Sequence, residues 1–166
     1  RSTSSPMRIV YTRNGQAQHA STSHALAVIE RLGYESGLWD TFIRTDSHII
    51  FNQAQKTDGT PASGGPSLNN VDGIFFLGHR EVPINDQQKA ELLAFVRGGK
   101  GFVAAHTGLT AFESWPEFGE MLGATYGGDL YTGPGRMING QPANPIVKNW
   151  GKNIEFNDEF YKASAL

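Results

Sequence analysis

Cysteine is absent from the 166 residues of this sequence. Its absence excludes disulfide bonds, cysteine metal clusters and a cysteine nucleophile. A surplus of positive charge is also missing, because 14 basic side chains stand against 16 acidic ones, and a nucleic-acid partner is therefore not expected. No apolar run approaches the roughly 20 residues of a membrane helix, so we expect no membrane span. The compartment stays open between the cytoplasm and export after removal of a signal peptide.

What the sequence does contain is typical of a globular protein. Hydrophobic residues make up 39% of the chain and glycine adds 20 residues, which together reach the usual apolar content. A chain of this length forms one compact domain, and we expect a single domain over residues 1–166. The many glycines predict tight turns and close approaches of the backbone.

Short apolar strands alternate with amphipathic helices along the chain. Gly33 is expected to stop the first helix, and the Gly-, Ser-, Pro- and Asn-rich stretch 52–70 is predicted to be a long exposed loop without regular structure. The alternation predicts a doubly wound α/β sheet with right-handed crossovers. Strands are predicted at residues 7–11, 38–43, 71–77 and 101–105, and helices at residues 21–32, 85–96 and 115–122.

His106 is the centre of a small-x-His-x-small pattern in residues 104–108, between a predicted strand and a helical segment. Small flanking residues let a strand turn sharply and hold the central side chain above the sheet, as in a nucleophile elbow. An imidazole in that place can move a proton or bind a metal. The alternative is a histidine that caps the following segment.

Other polar side chains follow the ends of predicted strands, where parallel sheets bind their ligands. His19 follows the first strand and Arg80 the third, so we expect both to converge with His106. Arg80 would hold a carboxylate or sugar hydroxyls, or else lie in a surface ion pair. His24 and His48 are interpreted as structural or exposed.

Carboxylates near the end of the chain are further candidates. Asp158 and Glu159 are adjacent in a predicted strand and therefore face opposite sides, so one could orient a histidine while the other meets solvent. Asp129 follows two glycines, and a plain turn is the favoured interpretation, with binding of a metal or a polar substrate as the alternative.

These motifs together resemble the ThuA-like (trehalose-utilisation) family over nearly the whole chain. The most specific block is residues 99–124, which includes the run 99–107, Trp115-Pro116 and Leu122-Gly123-Ala124. Shorter resemblances lie in Gln18-His19, Thr45-Asp46, Asn144-Pro145-Ile146 and Asp158-Glu159-Phe160-Tyr161.

The resemblance implies an α/β three-layer sandwich with a mostly parallel, flavodoxin-like sheet of the class I glutamine amidotransferase type. His106 would replace the amidotransferase cysteine, so glutamine hydrolysis is not expected. The family's link to sugar catabolism implies isomerisation or cleavage of 3-keto-glycosides, with His106 and His19 as acid and base and Glu159 or Asp158 orienting an imidazole. Substrate contacts are then expected from Arg80, Thr107, Asp129 and Tyr161.

Three features depart from the family pattern. Asp129 stands where many relatives carry a histidine, and Asn144 stands where His-Pro is common. The chain also ends soon after Tyr161, whereas relatives usually continue through further strands, so the domain could lack C-terminal strands.

No cofactor is assigned, although a divalent metal is an option for stabilising an enediolate.

A second hypothesis is a non-catalytic carbohydrate-binding or regulatory domain on the same scaffold, because a fold alone does not establish activity. A small sugar or keto-sugar is the expected partner in either case, and homo-oligomer formation stays open. Aromatic side chains could then stack on sugar faces, although core packing explains them equally well. The candidates are Trp39, Trp115, Trp150 and Tyr131.

Overall fold

The computed structural model describes residues 7–10, 19, 21–56, 58–78 and 83–164. The described residues up to Thr125 belong to one compact unit, and those from Tyr126 onward belong to a second. Within the described ranges, none of the helices has the length and apolar character that crossing a membrane requires. The single domain over residues 1–166 stays a prediction.

The first unit contains a parallel four-stranded sheet with the strand order β2-β1-β3-β4. Val10 pairs with both Arg44 and Phe76, and Phe76 pairs with Ala104, so the four carboxyl ends are aligned along one edge. The predicted alternation of strands and helices is confirmed here. The elements are β1 (Met7–Val10), α1 (Ser21–Ser36), β2 (Thr41–Arg44), β3 (Gly73–Phe76), α2 (Asp86–Arg97), β4 (Gly101–Ala104) and α3 (Pro116–Leu122).

Helix α1 continues through Gly33, so the predicted stop at that residue is wrong. A Cβ atom at Gly33 would lie 2.5 Å from Trp39 Nε1 and 2.7 Å from the Trp39 carbonyl oxygen. Glycine therefore lets Trp39 approach the helix closely. The helix ends near Gly37, which has a φ of +65° and donates its N–H to the Gly33 carbonyl at 2.9 Å, as left-handed glycines do at helix ends.

The stretch 52–70 has regular elements, so the prediction of an exposed, structureless loop is wrong. An antiparallel bridge joins Gln55 and Pro61, and a 3-10 helix covers Leu68–Asn70. The Leu68 side chain is buried, and its N–H donates to the Phe51 carbonyl at 2.8 Å. Leu68, together with the buried Ala54, thus anchors a segment whose overall composition is polar.

Two hydrophobic clusters lie on opposite faces of the sheet, because successive residues of a strand point to opposite sides. On β3, Ile74 and Phe76 belong to the larger cluster, whereas Phe75 packs against the smaller one. The smaller cluster contains Leu26 of α1 together with Leu77. The larger cluster also contains Leu92 and Phe95 of α2, Phe112, Trp115 and Phe118.

The second unit is a two-stranded sheet of β5 (Thr125–Ile138), which starts at the boundary, and β6 (Asn153–Ser164). Its contacts run in opposite directions along the strands, since Tyr131 stacks on Phe160 and Arg136 pairs with Glu155. The strands are therefore antiparallel. Asp158 and Glu159 lie within β6, in agreement with the strand assumed for them. The plain turn considered for Asp129 is wrong, because Asp129 lies within β5.

Gly33→Ala should lower the free energy of unfolding by about 1–3 kcal/mol, because the new methyl group meets backbone as well as side chain. Urea unfolding followed by circular dichroism measures the change. Gly64→Ala is the matched control, since a Cβ there has no neighbour within 4 Å, and it should change stability by at most about 0.5 kcal/mol. Equal stabilities for the two variants would contradict the close approach of Trp39.

Candidate functional site

His106 begins a 3-10 helix, His106–Thr110, directly after β4. Its φ is +49°, in the left-handed region that non-glycine residues seldom occupy. The N-cap position belongs to Ala105, so His106 is not the cap of this segment. The Ala105 N–H donates to the Phe76 carbonyl at 3.0 Å, which fixes the turn to the neighbouring strand. Such strained residues often mark functional sites, and the strain here is local to the imidazole-bearing residue.

Gly108 explains why the pattern around His106 requires a small residue. A Cβ at this position would lie 2.7 Å from the Phe76 carbonyl oxygen and 3.1 Å from the Ala104 Cβ. The Gly108 N–H also donates to the Ala105 carbonyl at 2.9 Å. The sharp turn expected from the small-x-His-x-small pattern is therefore present.

His19 and His106 lie together, as the sequence predicted. Their ring centroids are 4.8 Å apart and the rings meet edge to face at 75°. The His19 carbonyl accepts the N–H of Thr22 at 3.0 Å, which places His19 at the start of α1. His19 is exposed and His106 is half-buried. Two accessible imidazoles at the carboxyl edge of a parallel sheet can share the donation and acceptance of protons.

Thr107 and Arg80 are both predicted to contact the substrate. Thr107 is buried, and its carbonyl accepts the hydroxyl of Thr110 at 2.9 Å, so any contact of Thr107 with a substrate stays a prediction. Arg80 lies outside the described residues.

A charged cluster that the sequence analysis missed stands at the carboxyl end of β2. Arg44 donates to both Asp46 oxygens, at 3.1 and 3.0 Å, and His48 contacts Asp46 through its backbone N–H and its Nδ1. Burial opposes ionisation of Asp46, but the Arg44 and His48 interactions outweigh it and hold the pKa of this carboxyl below its usual value. The signal was the alternation of charged and titratable residues at 44, 46 and 48.

The second unit brings together two tyrosines and two carboxylates. The Tyr126 hydroxyl donates to Asp129 Oδ1 at 2.5 Å, and the Tyr161 hydroxyl donates to Glu159 Oε2 at 3.0 Å. The two tyrosine rings meet edge to face, 5.4 Å apart. Asp158 is exposed and accepts the Glu159 N–H at 2.9 Å. Asp129, Glu159 and Tyr161 are thus neighbours within this unit, and Tyr126 joins them.

Two glycines make the Tyr126–Asp129 contact possible. Gly128 has a φ of +109°, and a Cβ at Gly127 would lie 2.5 Å from the Ser164 Oγ. This local distortion of β5 lets residues three apart meet on one side of the strand. A Tyr-Gly-Gly-Asp sequence was the available signal for Tyr126.

The titration of Tyr161 is perturbed by its neighbours in this cluster. Burial raises the pKa of the Tyr161 phenol, and the hydrogen bond to Glu159 and the negative charges of Glu159 and Asp129 raise it further. The phenol therefore stays protonated at physiological pH and acts as a hydrogen-bond donor.

The elements of the first unit form a mixed helix and strand fold around a parallel sheet, with paired histidines at its carboxyl edge. The family model described as trehalose utilisation, ThuA, matches residues 8–165. The chain belongs to the ThuA family. A comparison with curated proteins gives no match.

Two solved structures have a similar fold. A ThuA-like protein from Bacteroides uniformis ATCC 8492 aligns with a TM-score of 0.70 at 17% identity, over 96% of this chain and 62% of that protein. A ThuA-like protein from Parabacteroides merdae ATCC 43184 aligns with a TM-score of 0.67 at 16% identity, over 95% of this chain and 63% of that one. This chain therefore spans less than two thirds of either solved chain, and identities this low show the fold alone.

Tyr161 should ionise well above the ordinary tyrosine pKa of about 10. The difference between the ultraviolet titrations of the wild type and Tyr161→Phe isolates this phenol. Glu159→Gln should lower the pKa of Tyr161 toward the ordinary value without reaching it, because the charge is removed while the burial remains. Ionisation of Tyr161 at its ordinary pH in the wild type would contradict the cluster.

The same shift sets a pH dependence of stability. The phenol of Tyr161 holds its proton more tightly in the folded protein than in the unfolded chain. Its contribution to the free energy of unfolding is therefore complete below about pH 10 and is lost as the pH rises further. The stability of the wild type should therefore fall more steeply above pH 10 than that of Tyr161→Phe.

Proposed function

We propose that this chain isomerises or cleaves a 3-keto-glycoside in sugar catabolism, with His19 and His106 as its acid–base pair. The observation that carries the proposal is the edge-to-face contact of the two rings, with centroids 4.8 Å apart. The left-handed turn at His106 supports it, because strain of this kind is retained where a side chain has to be aimed.

We propose for the first unit a three-layer, flavodoxin-like sandwich. In support, its strand order β2-β1-β3-β4 is the start of the flavodoxin-like order 2-1-3-4-5. Hydrophobic clusters on both sheet faces, one with α1 and one with α2 and α3, further support helices on either side. Ligands of such folds bind beyond the carboxyl ends of the strands, which is where the histidines lie.

The chemistry follows from the position of the keto group. A carbonyl at C3 acidifies the hydrogen on C2, so one neutral imidazole can remove that proton and leave an enediolate. In isomerisation, the C2 hydroxyl proton moves to the C3 oxygen through an imidazole, and C3 takes a proton from the imidazolium, so that the carbonyl moves to C2. In cleavage, the electron pair of the enediolate instead expels the glycosidic oxygen from C1. In the second case the leaving oxygen takes a proton from the other imidazole, which must be protonated at the start, and a C1–C2 double bond remains. Both routes leave the total number of protons unchanged.

Further residues complete the proposal. Glu159, or Asp158 as the alternative, is the carboxylate that orients an imidazole. Tyr161 is proposed as a substrate contact whose phenol oxygen accepts a hydrogen bond from a sugar hydroxyl, because its own O–H donates to Glu159. Asp129 is proposed as a further acceptor of sugar hydroxyls. We also propose that Arg80 and Thr107 bind the substrate.

A divalent metal is not needed for the step written above. The two imidazoles suit Zn²⁺ as ligands, but catalytic zinc sites use three protein ligands, so a metal at the histidine pair would need another donor. A bound metal would stabilise the enediolate oxygens. Turnover measured after dialysis against a chelator, and again after metal addition, separates a metal-independent reaction from one that needs a bound metal.

His106→Asn should reduce kcat/KM on a 3-keto-glucoside by about 10²–10⁴-fold, the usual contribution of a general acid or base. Asparagine tolerates the left-handed backbone of this position, so the turn and the melting temperature should change little. His19→Asn should give a loss of similar size. Product analysis by NMR measures the rate, and His24→Asn, at an exposed site on α1, is the control. Wild-type turnover in both His106→Asn and His19→Asn would overturn the proposal.

The purified protein should release no ammonia from glutamine above background. Amidotransferase chemistry needs a thiolate nucleophile, and the chain has no cysteine. A coupled ammonia assay with a glutaminase as positive control measures this. Sustained release that disappears in His106→Asn would contradict the proposed replacement of the amidotransferase cysteine by a proton-transfer histidine.

A further inference from the structure

A pocket of about 500 Å³ lies between α1 and the start of β2, and we name it the α1–β2 pocket. Its helix side comes from residues spaced three or four apart, including Glu30, Arg31 and Tyr34, which lie on one face of α1. Its strand side comes from the run 39–42. The volume falls in the range of small-molecule sites.

Three aromatic rings contribute to the walls. Tyr34 is 88% exposed and Phe42 is 44% exposed, although each is large and apolar. Trp39 is half-buried, because Gly33 lets its indole lie against the helix. An accessible ring beside a cavity offers a flat face on which an apolar ligand surface can stack.

The polar groups of the pocket carry both signs of charge. Glu30 and Asp40 supply carboxylates that accept hydrogen bonds, and Arg31 supplies a guanidinium that donates them. Two buried polar atoms of lining residues, Trp39 Nε1 and Thr41 Oγ1, have no hydrogen-bond partner in the described part of the chain. Both atoms are buried, so the charged groups that a ligand can reach are the two carboxylates and the guanidinium.

The pocket lies at the opposite sheet edge from the histidine pair. Thr41 is the first residue of β2, whereas His106 follows the last residue of β4. The strands are parallel and in register, so their amino ends and carboxyl ends are on opposite edges. A ligand in this pocket would not contact the imidazoles that the proposed reaction uses.

We propose that the α1–β2 pocket is a non-catalytic saccharide site, in which a sugar ring stacks on Tyr34 while its hydroxyls bind Arg31 and the two carboxylates. A saccharide has an apolar C–H face for the ring and hydroxyls that both donate and accept. An anionic ligand would meet Glu30 and Asp40, and a purely apolar ligand would leave all the polar groups unmatched. A neutral, polyhydroxylated ligand matches both the aromatic rings and the charged groups of the wall.

Titration of the ¹⁵N-labelled chain with maltose, followed by NMR, tests the proposal. Saturable shifts are expected at residues 30–42. Tyr34→Ala should weaken binding about tenfold through the loss of the stacking face, and Tyr34→Phe, which keeps the ring, should retain most of it. Leu38→Ala is the matched control, because this residue is also exposed but does not line the pocket.

The test is independent of the proposed reaction, since maltose carries no keto group at C3 and no turnover is measured. His106→Asn should bind maltose at this pocket as the wild type does. Absence of shifts at residues 30–42 up to the solubility of maltose would overturn the inference. Equal binding by the wild type and Tyr34→Ala would overturn it as well, as would loss of the shifts in His106→Asn.

Discussion

The position of Phe76 governs both the core and the candidate site of the first unit. Its ring is in contact with Phe102, Phe112 and Phe118, with centroids between 5.5 and 6.1 Å apart. Its carbonyl accepts the N–H that fixes the turn before His106 and lies beneath Gly108. Aromatic packing on one face of the sheet therefore determines where the imidazole is held at its edge.

The order of elements in the first unit could be predicted because buried strands and amphipathic helices impose different periods on apolar residues. The errors arose where one tertiary contact outweighs local composition. Gly33 resembles a helix stop, but its missing side chain makes room for Trp39. Leu68 and Ala54 are buried apolar residues of a stretch whose composition is polar. The long strand β5 was missed because it is rich in glycine and mostly exposed, which removes the alternation that marks a strand.

The histidine pair was predictable because parallel strands bring the segments after their carboxyl ends to one edge, whatever the side chains. Tyr126 and the Arg44 cluster were missed, because their sequence signals give spacing without the contacts. Their contacts depend on the left-handed backbone at Gly128 and on a turn in which Asp46 accepts the His48 N–H. A sequence pattern reports spacing along the chain, whereas these contacts come from local backbone angles.

Asn139 closes the long connection between β5 and β6. Its side chain donates to the carbonyls of Val147 and Gly151 at 2.9 and 3.1 Å, and its N–H donates to that of Lys152 at 2.9 Å. These hydrogen bonds at the start and end of the connection offset part of the conformational entropy that is lost when it closes into a loop. Because each doubling of loop length costs only about 0.6 kcal/mol, the exposed tip around Ile146 can gain residues with little loss of strand pairing. The pairing of β5 and β6 therefore tolerates variation in the length of this connection.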